Sequence, residues 1–310
     1  MYAAAFRKGF LNMKKSDKNI AKPIAAAMAA AIAMTALAGC QREIEPSPDV
    51  TTAPPIVSSG SVTTTEPVTE PIVTEPPVVI PEPLEKYSEY YEQNSDFIGW
   101  ISIPSLKNSK GKLYVDYPVV QAADNEKYID LSFEGKKSSS GCIYADYKVP
   151  ITATSHADNI TLYGHSMKDG TFFRKVLDYK NGVDFVKEHY IINFDTRWEE
   201  NRYVVVACFL IGIYEWQDDE PLFEYFKCRN FDTQKDFDYF YENIMHRSYY
   251  LSDIDCKYGD EFITLSTCAY DFKDSRYVVV ARKVRENEDI SGYADTYVKN
   301  KSRHKPSILD

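Results

Sequence analysis

The sequence predicts an all-β-dominated domain closed into a barrel of about eight strands, and three observations carry that prediction. Tyr and Phe number 24 and 16, and many sit in alternating or β-branched runs that suit a pleated, half-buried surface. Strand-like runs recur through the body of the chain with few helical stretches between them. Closure also removes the open edges that so many strands would otherwise offer to other chains.

The body is preceded by a segment of different character. Residues 1–40 read as an export signal: Lys14, Lys15, Lys18 and Lys22 precede an Ala-rich apolar run from Ile24 to Ala38. That run is shorter than the roughly 20 residues needed to cross a bilayer as a helix, so cleavage is expected rather than a permanent anchor. It ends in Leu37-Ala38-Gly39-Cys40, which resembles the lipobox of bacterial lipoproteins and makes Cys40 the expected lipid-attachment residue. Residues 41–84 are dominated by Pro, Thr, Val and Glu, with Thr-Glu-Pro starting at Thr65, Thr69 and Thr74. Such a composition cannot bury a core and reads as a disordered tether with a polyproline II bias.

The folded body is expected over residues 85–285, with a polar carboxy-terminal tail at 286–310. It opens on a short helix near Glu85, where Leu84, Tyr87, Tyr90 and Tyr91 recur at helical spacing. Strands are predicted at Ile98 to Ile103, Tyr117 to Val120, Gly141 to Tyr144, Ile160 to Tyr163, Tyr190 to Phe194, Tyr203 to Ile213, Phe262 to Ser266 and Tyr277 to Val284. The exception is Thr233 to Met245, where Phe237, Phe240, Tyr241 and Ile244 fall on one helical face and read as core packing.

Charge and cysteine usage exclude several function classes. A net charge of -10 and the lack of a dense basic stripe argue against a nucleic-acid partner. The cysteines are Cys40, Cys142, Cys208, Cys228, Cys256 and Cys268; none forms a C-x-x-C pair or zinc-site spacing, so no metal centre is expected, and no cofactor is expected because the groups that the chemistry requires are all side chains. In an exported protein, disulfides among Cys142, Cys208, Cys228 and Cys256 are open alternatives that spacing does not decide.

Two segments carry chemistry. Ile263-Thr264-Leu265-Ser266-Thr267-Cys268 is a strand ending in a thiol, followed by Arg276 at the head of a Val-rich strand. In Thr161-Leu162-Tyr163-Gly164-His165-Ser166-Met167-Lys168-Asp169-Gly170-Thr171-Phe172-Phe173 a strand ends at Gly164 and a histidine opens the loop. A thiolate is a potent nucleophile toward a carbonyl, and an imidazole can protonate a departing amine. A fixed guanidinium can stabilise the oxyanion that the attack creates. Taken singly, each residue is as well explained by packing, a turn or a surface charge; together they form an acyl-transfer set.

With these residues in place the chain resembles the sortases, and class B in particular. The Thr-Leu-Ser-Thr-Cys run with its downstream Arg is similar to the sortase cysteine and arginine motifs, and the segment around His165 to the class B histidine segment. Asp96-Phe97-Ile98-Gly99-Trp100-Ile101, Asp116-Tyr117-Pro118-Val119-Val120-Gln121 and Gly141-Cys142-Ile143-Tyr144-Ala145-Asp146 extend the likeness in the same order, over roughly residues 85 to 284. Ser166 and Cys142 depart from it, standing where the family often has Asn and Ser.

The resemblance implies an eight-stranded sortase barrel with amino-terminal helices and one helix in the connection before the cysteine strand. It implies catalytic roles for His165, Cys268 and Arg276, and a cysteine transpeptidase that cleaves a sorting signal after Thr through a Cys268 thioester. The implied partners are surface proteins bearing a carboxy-terminal sorting signal, of Asn-Pro-X-Thr rather than Leu-Pro-X-Thr-Gly type, and a peptidoglycan-precursor amine. The implied place is the extracellular face of the bacterial membrane, held by a lipid anchor or the amino-terminal segment. A pilus-assembling sortase using a pilin Lys amine and a non-catalytic wall-binding lipoprotein are the rival readings. Arg282 competes with Arg276 for the guanidinium role, because an even spacing puts both on one strand face; the motif favours Arg276. His156, His189, His246 and His304 match no motif and read as surface or structural.

Overall fold

The computed structural model describes residues 80–310. The expected signal over 1–40, its lipid-attachment residue Cys40 and nearly all of the 41–84 tether lie outside the described residues.

Eight strands close into a barrel: β1 (Phe97–Ser102), β2 (Asp116–Val120), β3 (Ile143–Ala145), β4 (Asn159–Tyr163), β5 (Ile191–Thr196), β6 (Arg202–Ile211), β8 (Phe262–Cys268) and β9 (Arg276–Lys283). Around the barrel they run β1-β2-β3-β4-β8-β9-β6-β5, with β5 pairing back onto β1. The β2–β3 and β4–β8 pairs are parallel and the others antiparallel. Each predicted strand is present, within a residue or two at each end. The short strands β7 (Tyr250–Leu251) and β10 (Val298–Lys299) form a separate two-stranded sheet that the sequence did not announce.

Unbroken apolar runs mark strands covered on both faces. From Tyr203 to Ile211 every residue of β6 is buried, because one face fills the barrel and the other is covered from outside. Part of that cover is a helix. Among the described residues the α-helices are α1 (Ser88–Gln93), α2 (Val183–Glu188), α3 (Gln234–Arg247) and α4 (Tyr293–Thr296), of which α3 is the long one. It starts where its residues demand: Thr233 Oγ1 accepts from Asp236 N–H, and Asp236 Oδ2 accepts from Thr233 N–H at 3.0 Å. Reciprocal caps of this kind stabilise a helix start by about 1 kcal/mol. Phe237, Phe240 and Ile244 form the buried stripe, and Phe237 and Phe240 pack on Phe262 of β8 with ring centres 6.3 and 5.4 Å apart. Burying each such ring is worth about 2 to 3 kcal/mol.

Two further pieces cover the barrel. The 3-10 turn Glu85–Tyr87 leads into α1, and Tyr87 and Tyr90 pack on Phe97 and Trp100 of β1. Tyr87 Oη anchors the segment by donating to Asp195 Oδ2 at 2.6 Å. After β9 the chain stays on the protein: Arg285 pairs with Asp260 at 2.7 Å, and the hydroxyl of the buried Tyr297 donates to the Val205 carbonyl.

Candidate active site

β8 is the strand that brings the chemistry together. It runs parallel to β4 on one side and antiparallel to β9 on the other. Tyr163 is aligned with Ser266, so the chain leaving β4 passes His165 beside the last residues of β8. Two hydrogen bonds lock this exit: Gly164 N–H donates to Ser266 O at 3.2 Å and Thr267 Oγ1 donates to Gly164 O at 2.8 Å. On the other flank, Cys268 and Arg276 are the terminal Cα partners of the β8–β9 ladder. Residues in register share a sheet face and alternate residues repeat it. Cys268 and Arg276 therefore leave one sheet face, the one that Phe262 turns toward α3, and the start of the His165 loop lies beside the same strand end.

The His165 loop is closed rather than open. Phe173 N–H donates to His165 O at 3.0 Å, and Ser166 and Phe172 pair as an isolated bridge. Phe172 takes a positive φ of 55°, stacks on Tyr117 at 4.9 Å, and its N–H donates to Tyr117 Oη at 3.1 Å. Gly164 has no room for a side chain, because a Cβ would lie 2.7 Å from the Phe173 ring. His165 Nε2 lies 2.9 Å from Ile129 O. A carbonyl only accepts, so Nε2 donates this hydrogen bond and Nδ1 is left free of it.

Cys268 is partly exposed, whereas Arg276 is 3% exposed, with Nη1 donating to Ser275 O at 2.9 Å. A guanidinium held this way presents a fixed fork of donors near the thiol. The remaining described cysteines are free thiols, so none of the disulfides left open by the sequence is present among the described residues. Burial pushes Cys142 and Cys256 up to about 12 and Cys228 up to about 11, and it raises Cys208 as well. Those four are poor nucleophiles as a result.

Arg282 takes no part in this arrangement. It stands opposite Phe262, at the far end of the β8–β9 ladder from Cys268, about 20 Å of strand away from position 276. Its side chain is fully buried and ion-paired with Glu288, through Nη1 to Oε2 at 3.0 Å and Nη2 to Oε1. Register thus separates two arginines that strand parity could not.

Three tyrosines that the sequence did not single out border the same strand end. Tyr225 Oη is 2.7 Å from Ser266 Oγ, one repeat before Cys268. Tyr270 Oη donates to Ser166 O at 3.2 Å, joining the loop after β8 to the His165 loop. Burial raises the phenols of Tyr144, Tyr225 and Tyr270, and each lies within the fields of both Cys268 and Arg276. Tyr270 follows Cys268 by two residues, whereas Tyr144 and Tyr225 come from distant stretches that only the folded chain brings near it.

No family model matches the chain. The sortase B proteins of Staphylococcus aureus and Listeria monocytogenes are each 28% identical to it over 194 residues, which is 62% of this chain and 72% and 71% of theirs. A solved Staphylococcus aureus sortase B–substrate complex superposes with a TM-score of 0.55 at 27% identity, covering 64% of this chain and 85% of that one. The Clostridium perfringens sortase B superposes with a TM-score of 0.54 at 25% identity, covering 64% and 98%. The closed eight-stranded barrel and these relatives define a sortase, an enzyme of the transpeptidase type. Within that family the chain falls with the class B sortases.

Proposed function

We propose that Cys268, His165 and Arg276 are the catalytic residues of a two-step transpeptidation. Cys268 Sγ, as thiolate, attacks the backbone carbonyl carbon of a Thr in a sorting signal, while the Arg276 guanidinium holds the oxyanion. The Thr C–N bond breaks, the departing amine takes a proton from the His165 imidazolium, and the substrate is left as a thioester on Cys268. An incoming amine then attacks the thioester, gives its proton to His165 and forms a new amide as the C–S bond breaks. All electrons and protons are accounted for by these three groups and the two substrates.

The observation that carries this reading is the strand end itself: β8 terminates at Cys268 with Arg276 as its Cα partner and the Gly164–His165 exit hydrogen-bonded to the residues just before it. The substrate is proposed to be a surface protein whose carboxy-terminal signal is of the Asn-Pro-X-Thr type. The acceptor is proposed to be an amine of a peptidoglycan precursor; one solved relative is a sortase B complexed with triglycine, which makes that peptide a fitting acceptor to test. The proposed location is the extracellular face of the membrane, with residues 1–40 as lipoprotein signal, Cys40 lipidated and 41–84 as tether. No helix among the described residues is long and apolar enough to cross a membrane.

The test is to incubate the purified protein with Asn-Pro-X-Thr and Leu-Pro-X-Thr-Gly peptides, adding either triglycine or a Lys-containing pilin-type peptide. The expected products are cleavage after Thr of the first peptide and its ligation to triglycine. Ligation to the Lys side chain alone would favour pilus assembly. Absence of cleavage of both peptides would point to a binding lipoprotein instead.

A further inference from the structure

A second group of chemistry-bearing side chains uses none of the proposed catalytic residues. It forms where the loop after β6, the last turn of α3 and the carboxy-terminal segment meet, and it comprises Glu220, His246 and His304. We propose that these three bind one divalent transition-metal ion of the zinc class, which fastens the carboxy-terminal segment to α3.

The donor atoms converge. One ligand atom from each residue lies within 4.8 Å of the others. Glu220 Oε1 is 2.9 Å from His246 Nε2 and 3.4 Å from His304 Nδ1. Zinc holds nitrogen and oxygen ligands at about 2.0 to 2.2 Å in a tetrahedron, which places neighbouring ligand atoms about 3.3 to 3.5 Å apart. Small side-chain shifts bring the three into that geometry, with a fourth position left for water.

The hydrogen bonding around His304 is an independent argument. Its Nε2 lies 2.9 and 2.8 Å from the two oxygens of Asp218. A carboxylate only accepts, so Nε2 donates to Asp218, which leaves Nδ1 as the ring nitrogen turned toward Glu220 Oε1 and placed to act as a ligand. Asp218 stands where an outer carboxylate orients a metal-binding imidazole, and Arg247 Nη2, 3.1 Å from Glu220 Oε2, fixes the other oxygen of the ligand carboxylate. The two rings already lie nearly parallel, 5.2 Å apart, and His304 N–H donates to His246 O at 2.8 Å.

The donor set selects the metal. Two imidazoles and a carboxylate suit zinc and its neighbours, whereas calcium and magnesium prefer all-oxygen shells. The His246 and Glu220 side chains are 48% and 38% exposed, so an ion can enter from solvent.

The test uses untagged full-length protein carrying Cys268→Ala, so that the partly exposed thiol cannot bind metal. Zinc chloride is titrated calorimetrically and cobalt(II) by visible absorption, in this parent and in His246→Ala, His304→Ala and Asp218→Asn added to it. The proposal expects one ion per chain and cobalt bands of tetrahedral N/O ligation without a thiolate charge-transfer band. It expects loss of binding in both His variants and an affinity about 10- to 100-fold weaker in Asp218→Asn. Zinc should raise the Tm of the parent, reversibly with EDTA, and leave the Tm of His246→Ala unchanged; that exposed position tolerates truncation. A parent that binds no zinc, or variants that bind it as the parent does, would overturn the site.

Discussion

Cys268 and Arg276 are Cα partners at the last rung of the β8–β9 ladder, so the sulfur and the guanidinium leave the same face of neighbouring strands. With Arg276 3% exposed, its charge acts where water screens it little. Arg276→Ala is expected to lower kcat/KM by about 10²- to 10³-fold per folded molecule. Arg276→Lys should recover only a small part, since an ammonium lacks the planar fork. Steady-state kinetics with a sorting peptide, alongside a thermal melt, checks both.

Gly164 is where the histidine loop is tied to the cysteine strand. A methyl group there would lie 2.7 Å from the Phe173 ring, and the carbonyl of the same residue accepts from Thr267 Oγ1. Gly164→Ala should destabilise the protein by about 1 to 3 kcal/mol through overpacking and should lower kcat more than it raises KM. Thr267→Val, which removes the tie without adding a clash, should cost about 1 kcal/mol. Denaturant unfolding gives the stability, and kinetics gives the kcat effect.

The five described thiols differ in reactivity. Burial holds Cys142, Cys228 and Cys256 at about 11 to 12 and raises Cys208 further, while Cys268 ends a strand with its side chain partly exposed. Brief treatment of the native protein with iodoacetamide near neutral pH should modify Cys268 well before those four. Peptide mapping by mass spectrometry reads the order directly; equal labelling of Cys208 would contradict it.

Arg282 and Glu288 tie the segment after β9 to the barrel, and their pair has a pH signature. Burial pushes the Glu288 carboxyl up, but the Arg282 and Tyr293 hydrogen bonds outweigh it and hold the group at about 2, below its ordinary 4.5. A carboxyl depressed on folding contributes stability above its unfolded value and loses it as pH falls through the folded one. The protein should therefore lose stability between about pH 4.5 and pH 2, and Glu288→Gln should flatten that part of the profile. Arg282→Ala, which leaves the largely buried carboxylate without its cationic partner, should cost about 3 kcal/mol at neutral pH without reducing kcat. Thermal melts across pH check both variants.

The eight barrel strands were legible because each is an apolar or aromatic run bounded by polar turns, and α3 because Phe237, Phe240 and Ile244 repeat on one face. The sheet of β7 and β10 was not, since two-residue strands carry no period to read. Cys268, His165 and Arg276 were found through motif and resemblance. What they had in common in space was not readable, because it depends on β4 and β9 flanking β8. The same holds for Arg282, which pairing with Phe262 places at the opposite end, for Tyr144 and Tyr225, and for the reach of the Tyr270 hydroxyl to Ser166 O. Glu220, His246 and His304 left no motif because their approach is set by where three separate segments pack.

The most direct check on the whole account is intact-mass spectrometry of the protein quenched in acid during turnover of an Asn-Pro-X-Thr peptide without an amine acceptor. Wild type should carry one acyl fragment on Cys268, removable by hydroxylamine; Cys268→Ala should carry none, and His165→Ala and Arg276→Ala should accumulate it far more slowly. An adduct that forms equally in Cys268→Ala, or a rate indifferent to His165 and Arg276, would contradict a shared site built from these three residues.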